Sequence, residues 1–330
     1  MSRIALLGQG TMATVHARAW RELGHQVVVF ALEDTGAFAR QMGATSATSL
    51  DEALASAEIV DICTPTATHA ELASRALRAG LDVICEKPLA LSAAACRELI
   101  DLAAEHGRQV LPAHVVRYFP QYFLAKEAAD AGRIGDLAVL RFSRTGAAPA
   151  NDWFADEALS GGIILDQVIH DIDQAVWIAG GVESVYAATN RRREASGAVV
   201  HTAHVVLTHH SGAITHCRGF WGLPNTSFRY GFDLAGTGGA LRYDSRENTG
   251  FRLSVDRSAP PQAEPIVPEV GFFDDPYRAQ LADCHQALVG GSTPRSTAQS
   301  GCYAVAVAEA ARGSAQSGAV VRLDHEGAVR

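Results

Sequence analysis

The amino-acid sequence predicts an α/β fold joined to an α+β fold. Residues 1–118 read as a doubly wound parallel sheet, and residues 119–330 as a large open, mainly antiparallel sheet with helices on one face. Three observations predict this. Short apolar runs alternate with helical patterns as far as residue 118. A glycine-rich turn joins the first apolar run to the first helix. Beyond residue 119, strand-like runs follow one another directly across short turns, as antiparallel strands do. A chain of 330 residues is long enough for two such domains, each with its own core.

The first strand spans residues 3–7 and leads into Gly8-Gln9-Gly10-Thr11-Met12-Ala13, then a helical pattern to about Leu23. In this G-x-G-x-x-A turn, Gly8 permits the tight bend and Gly10 lets a pyrophosphate approach the backbone. The small Ala13 lets the helix pack on the strand. Free N–H groups at the helix start, at Thr11 and Met12, attract an anion. The alternative is a plain tight turn between strand and helix. The second strand, residues 26–31, would end at the acid that holds a ribose 2′-hydroxyl, about 20 residues past the glycines. Leu32 occupies the nearest position, with Glu33 and Asp34 just after it. Either acid reaches the ribose if the turn is displaced, and Glu33 is the nearer. No arginine stands there to take a 2′-phosphate, so NAD is favoured, with NADP as the alternative.

Helices are expected over residues 36–42 and from Ser49, an N-cap with Glu52 three residues later. The strand 59–63 runs into Thr64-Pro65-Thr66, and Thr68-His69-Ala70-Glu71 opens a helix ending near Gly80. Thr64, Pro65 and His69 thereby stand at a strand end, His69 as a ligand contact or a local cap. The strand Val83-Ile84-Cys85-Glu86-Lys87-Pro88 stops at a proline, which has no N–H for the ladder. Glu86 and Lys87 therefore sit at the carboxyl edge, where open α/β sheets bind ligands. Read alone, they are equally a surface ion pair closing a strand. A helix over 92–106 and a strand over 109–112 complete the first domain.

Past His114–Pro120 the pattern changes. A helix over 121–131, a strand over 137–144 and an apolar helix after Gly161-Gly162 are followed by strands over 184–190, 198–208, 213–220, 228–235 and 240–243. Turn signals such as His210-Ser211-Gly212 and Gly236-Thr237-Gly238-Gly239 separate them. Helices over 276–290 and 299–317 close the chain, with packing back near the first domain as one option. Residues 258–271 form a proline-rich, linker-like stretch.

Composition excludes several classes. Hydrophobic residues make up 48% and charged residues 19%, as in a globular enzyme rather than a disordered or fibrous chain. A net charge of −8, with Arg191-Arg192-Arg193 as the only basic run, argues against nucleic acid. No apolar stretch approaches the roughly 20 residues of a membrane span. The apolar run after Met1-Ser2-Arg3 is too short for a signal peptide. Six scattered cysteines without a C-x-x-C pair read as reduced thiols in a cytoplasm.

Chemistry concentrates in the apolar helix after Gly161-Gly162. Asp166 and His170 are four residues apart, so on a helix they share a face. A carboxylate beside an imidazole fixes its tautomer and raises its basicity, which suits acid–base work near neutral pH. The competing reading is a buried histidine satisfied by a local carboxylate. The two glycines upstream would let a ligand approach the helix start. Arg117, Tyr118, Asn151, Trp153, Trp221 and Tyr277 are candidates for lining a polyol pocket, though packing explains each one singly as well. His201, His204, His209, His210 and His216 look like a metal cluster in a list. On a strand, however, 201 and 204 face opposite sides, so no metal site is expected there.

Several ordered motifs together carry a specific resemblance. They are Gly8-x-Gly10-x-x-Ala13-x-x-His16, Thr64-Pro65-Thr66-x-x-His69, Glu86-Lys87-Pro88, Arg117-Tyr118-x-Pro120, Gly161-Gly162-x-x-x-Asp166-x-x-x-His170-x-x-Asp173 and Gly236-Thr237-Gly238-Gly239. At this spacing the chain resembles, over nearly its whole length, the Gfo/Idh/MocA family of nicotinamide-dependent oxidoreductases. The resemblance implies an N-terminal Rossmann domain and a C-terminal substrate-binding and oligomerisation domain. It implies Lys87, Asp166 and His170 as catalytic residues, with Lys87 beside the nicotinamide and Lys87-Pro88 often cis. It also implies an open sheet used for homo-oligomer contacts. Val168 stands where the family commonly has glycine, which would narrow the pocket or shift the helix, and Leu32 replaces the ribose acid.

The expected activity is hydride transfer between NAD and a hydroxyl or keto carbon of a sugar, inositol or related polyol. His170, oriented by Asp166, would move the hydroxyl proton, and Lys87 would polarise the same oxygen. Two other classes stay open: a glycosidase that uses NAD for transient oxidation, and a non-catalytic dinucleotide-binding regulator. Intact Lys87, Asp166 and His170 argue against the regulator.

Overall fold

A computed structural model of the chain describes residues 1–149, 152–193, 199–246, 252–255 and 275–330. The proline-rich stretch 258–271 and Asn151 lie outside them. The described residues divide into two compact units. One comprises Met1–Tyr118, Ala158–Ser160 and Asp274–Val305, the other Phe119–Glu157, Gly161–Phe273 and Ala306–Arg330.

In the first unit the strands are β1 (Arg3–Leu7), β2 (Gln26–Phe30), β3 (Thr45–Ser46), β4 (Ile59–Ile62), β5 (Asp82–Glu86) and β6 (Val110–Ala113). They form a six-stranded sheet in the order β3-β2-β1-β4-β5-β6 with every pair parallel. Residues 4–7, 59–62 and 83–86 are buried throughout, because helices cover both faces of such a sheet. Helices α1 (Thr11–Glu22), α2 (Gly36–Met42), α3 (Leu50–Ala55), α4 (His69–Arg78) and α5 (Ala93–Glu105) connect the strands. Ser49 and Ser92 cap α3 and α5 by accepting the N–H of Glu52 and Ala95. The core gathers Leu6, Ala13, Ala17, Trp20, Val27, Val29 and Ile84 with Leu281, Cys284 and Ala287, which lie on a helix far along the chain. The strand order reverses between β1 and β4, and such a switch point is where dinucleotides bind.

The second unit contains α6 (Pro120–Asp130), β7 (Leu137–Ala147), the short α7 (Asp152–Ala155) and α8 (Glu157–Ser160), and then α9 (Ile169–Ala179). Next come β8 (Val182–Arg193), β9 (Val199–His209), β10 (Ile214–Gly222), β11 (Arg229–Gly236), β12 (Gly239–Asp244) and β13 (Arg252–Val255). Two helices follow, α10 (Pro276–Gly290), which belongs to the first unit and packs on α1, and α11 (Ala298–Ser317), followed by β14 (Val321–Arg322). The eight strands are ordered β13-β12-β11-β7-β10-β9-β8-β14, antiparallel except that β7 and β10 run parallel. That pair departs from a simple meander: the chain leaves β7, forms α9, β8 and β9, and returns beside β7 as β10. Alternation along β9 buries His201, Ala203, Val205 and Leu207 while His204 faces outward.

Candidate active site

The glycine turn is built as a dinucleotide cradle. Gly8 has φ of +115°, and a Cβ there would stand 2.6 Å from the Cys63 carbonyl oxygen. Gly10 has an ordinary φ of −80° and would-be side-chain space with nothing within 4 Å. Gly8 is thus required by the protein itself, and Gly10 leaves room for something else. Thr11 is exposed, Met12 half-buried and Ala13 fully buried against the core. The N-terminus of α1 has no side-chain cap and no acid in its first turn, which suits a pyrophosphate. At the end of β2, Leu32 is 94% exposed. Of the two acids after it, Asp34 accepts the Gly36 N–H at 2.9 Å. Glu33 instead leans on the glycine turn, accepting from Gln9 Nε2 at 3.4 Å. These features of the glycine turn fit a bound dinucleotide.

At the carboxyl edge of the same sheet, the Lys87-Pro88 peptide is cis, as the family resemblance implies. His69, expected as a ligand contact or cap, is 1% exposed and clamps two turns instead. Its Nδ1 lies 2.8 Å from the Pro88 carbonyl oxygen and its Nε2 2.9 Å from that of Thr64. Burial lowers the His69 pKa against the pull of those two carbonyls. Thr64 Oγ1 pairs with Thr68 Oγ1 at 2.7 Å, and Pro65 is exposed. Lys87 is half-buried, while Glu86 turns inward and accepts the Lys87 backbone N–H at 3.0 Å.

Beneath that edge Glu86, expected to hold the lysine or the cofactor edge, joins a polar cluster with His16 and Asp61. His16 Nδ1 donates to Asp61 Oδ2 at 2.9 Å, and its Nε2 lies 3.2 Å from Glu86 Oε1. Trp20 Nε1 donates to Asp61 Oδ2 at 2.6 Å. His16, Asp61 and Cys63 offer ligand atoms within 4.8 Å of one another, as a metal site would. The His16 ring is already wedged between carboxylates, and burial pushes the Cys63 thiol far up, so it stays neutral. Hydrogen bonds and ion pairs therefore account for this cluster. The signal available in the sequence was Asp61, a lone acid inside the apolar strand Ile59-Val60-Asp61-Ile62.

In the second unit, the segment carrying the expected acid–base pair begins as a π-helical turn, Ile164–Val168, and continues as α9. This corrects the plain helix read from the sequence. Gly161 and Gly162 both have positive φ, and side chains there would meet Leu165 and Glu157, so the protein's own turn requires them. Asp166 and His170 are half-buried while their neighbours Leu165, Gln167, Val168, Ile169 and Asp171 are buried. The pair thus forms the solvent-reaching stripe of an otherwise enclosed segment. Val168 does not stand in a pocket. It is fully buried, and it fits because Gly219 on β10 lacks a side chain: a Cβ there would lie 2.4 Å from Val168 Cγ2. Gln167 Oε1 accepts the Phe220 N–H at 3.0 Å, stitching the π turn to β10. Arg144 on β7 donates to Asp171 at 2.9 Å, both side chains almost wholly buried, and so pins α9 to the sheet.

The remaining candidates are placed as follows. Arg117 is buried and donates to the Arg295 carbonyl, and Tyr118 donates to Asp283 Oδ2 at 2.6 Å. Tyr277, half-buried at the start of α10, has its ring 6.4 Å from that of His16. Trp153 stacks on Phe154 at 3.7 Å. Trp221 stands edge-on to His201, ring centroids 6.0 Å apart. His204 and His216 approach to 3.4 Å on the outer sheet face, whereas His209 is buried and bonded to Gly180 and Thr215. All six cysteines are free and buried. Among the described residues, no helix is long and apolar enough to cross a membrane.

A parallel sheet in this order with an open, uncapped glycine turn defines a dinucleotide-binding fold. Comparison with known proteins agrees and is more specific. Residues 2–114 match the model of the Gfo/Idh/MocA oxidoreductase family, NAD-binding Rossmann fold, and residues 122–242 match the C-terminal domain of that family. The chain belongs to the Gfo/Idh/MocA family of oxidoreductases, and its first unit is an NAD-binding domain. It is 28% identical to myo-inositol 2-dehydrogenase of Thermotoga maritima, over 98% of this chain and 98% of that protein. It is 33% identical to inositol 2-dehydrogenase of Rhizobium meliloti over 54% of this chain, a match that spans 55% of the relative's length. The crystal structure of GenD2 from gentamicin A biosynthesis, in complex with NAD, has a TM-score of 0.84 at 26% identity, over 98% of this chain and 96% of that one.

Proposed function

We propose that this oxidoreductase is an NAD-dependent dehydrogenase acting on a CH–OH carbon of an inositol, sugar or related polyol, or on the corresponding ketone. The observation that carries the reading is the half-buried pair Asp166 and His170 on an otherwise buried segment, within a chain whose other unit binds NAD. The naming of relatives as inositol 2-dehydrogenases supports the polyol class.

NAD, when bound, supplies the carbon that accepts the hydride. An imidazole nitrogen of His170 takes the substrate hydroxyl proton and returns it in the reverse direction. Asp166, one turn away, fixes the tautomer in which this nitrogen accepts the proton. The Lys87 ammonium polarises the same oxygen and stabilises its developing negative charge, an effect that is strong in a water-poor site. Trp153 and Tyr277 supply aromatic faces toward the polyol. Arg117 is assigned a positioning role, because its guanidinium holds the backbone at Arg295. Glu33 supports NAD over NADP through its place beside the glycine turn. A homo-oligomer through the outer sheet face belongs to the same reading, since Tyr186 and Ile214 there are 44% and 48% exposed. Sedimentation velocity tests it.

The test of substrate class is absorbance at 340 nm with NAD or NADP across a panel of cyclitols and sugars. The expected result is net NADH with one structural group of polyols. Release of a leaving group without net NADH would assign the glycosidase reading instead, and no response to any member would overturn both.

A further inference from the structure

We infer that His16 is a positioning residue for the strand end that carries Lys87: its ring, wedged between Asp61 and Glu86, holds the Glu86 carboxylate inward beneath the Lys87 backbone N–H. The inference adds a residue to the proposed function and rests on that reading only for the importance of Lys87.

The contacts form one continuous chain across three elements. Trp20 and His16 on α1 both donate to Asp61 on β4, at 2.6 Å and 2.9 Å. The far nitrogen of His16 meets Glu86 Oε1 at 3.2 Å, and Glu86 Oε2 accepts the Lys87 N–H at 3.0 Å. His16 and Asp61 have no solvent exposure, and Glu86 has 6%. Two carboxylates buried this deeply, on opposite edges of one ring, need a cation between them, because an unpaired buried charge is costly. A protonated ring, hydrogen-bonded to Asp61 through Nδ1 and at ion-pair distance from Glu86 through Nε2, is that cation. Burial alone would lower the His16 pKa, but Asp61 and Cys63 outweigh it, so the ring stays protonated well above its usual range. Burial alone would raise Glu86. His16, then Lys87, outweigh it, and the carboxyl titrates below its usual range.

The other titratable groups around the cluster leave this arrangement in place. Cys63 just past β4, Cys85 on β5 and Cys284 on α10 are thiols pushed upward by burial, hence neutral. Tyr277 on α10 presents a ring to His16. His69 on α4 is lowered by burial and feels Glu86 only weakly. The pH consequence has a definite sign. Raised His16 contributes stability fully below 6.5, and that contribution fades as pH climbs toward its folded value. Lowered Glu86 contributes fully above 4.5, and that part fades as pH falls below it. Both are complete between 4.5 and 6.5.

The test needs no polyol substrate. Nitrogen-15 NMR of the wild-type protein reads the His16 ring directly, and both nitrogens are expected protonated at pH 7.5. NADH affinity, by fluorescence from pH 5.5 to 8.5, is expected flat in the wild type. In His16→Asn it falls about tenfold or more, the usual scale for one charge-assisted hydrogen bond, and it weakens further as pH rises. The rise releases a proton from Glu86, which no longer faces a cation. Adding Glu86→Gln to His16→Asn is expected to remove the slope, a rescue that loss of packing would not give. A neutral His16 ring at pH 7.5, or a His16→Asn profile matching the wild type, would overturn the inference. Should the variant fail to fold, the wild-type NMR result decides. If these results hold but no polyol is oxidised, the substrate reading fails and the His16 assignment stands.

Discussion

Glu33 and Asp34 are adjacent acids of similar chemistry, and local geometry gives them different work. Asp34 is occupied by the Gly36 N–H, which it caps at the start of α2. Glu33 has turned toward Gln9 in the glycine turn, the direction from which a ribose would approach. Replacing Glu33 with Gln is therefore expected to weaken NAD about tenfold or more, as loss of a charged hydrogen-bond acceptor does, and to narrow the preference over NADP. Asp34→Asn, which keeps the cap acceptor, should leave both affinities unchanged. Titration calorimetry with the two cofactors measures this. The displaced acid was legible in the sequence as a pair of candidates. Choosing between them required the side-chain hydrogen bonds, which depend on how the turn after β2 folds.

At the scale of elements, Gly8 and Gly10 separate stability from binding. Alanine at 8 must adopt a φ that L-residues avoid and must also push against the Cys63 carbonyl. It should cost about 1–3 kcal/mol of stability, seen as a lower urea midpoint. Alanine at 10 meets nothing within 4 Å, so stability should stay within about 0.5 kcal/mol while NAD affinity drops, because the methyl group occupies the space left for the pyrophosphate. Equal effects at both positions would contradict the cradle. The helices and the longer strands were readable because their apolar periods run for several residues. Two-residue strands such as β3 and β14 carry no period to read. The π turn at Ile164–Val168 was also invisible, since a widened turn shifts side chains without altering the pattern that announces a helix. Val168 shows the same limit: its compatibility depends on Gly219, fifty-one positions later, and on the parallel return of β10 beside β7.

For the whole molecule, motif order carried more than any single motif. Glu86-Lys87-Pro88 alone is a strand end with an ion pair. Together with the glycine turn and the Asp166/His170 segment it specifies an oxidoreductase family, which matches to both halves of the chain bear out. What the motifs left open is physical in origin. The partners of buried charges, His16 with Asp61 and Glu86, and Arg144 with Asp171, come from elements distant in sequence. Their pairing follows from topology rather than spacing. The proposed mechanism assigns both Lys87 and His170 to one substrate oxygen. The most direct test is the turnover of Lys87→Ala and His170→Ala on the best polyol at 340 nm, with NADH affinity measured beside it. A kcat lower by about 10²–10⁴ is expected for each variant, with NADH affinity held within a few-fold in His170→Ala. Turnover within a few-fold of wild type in both would contradict it.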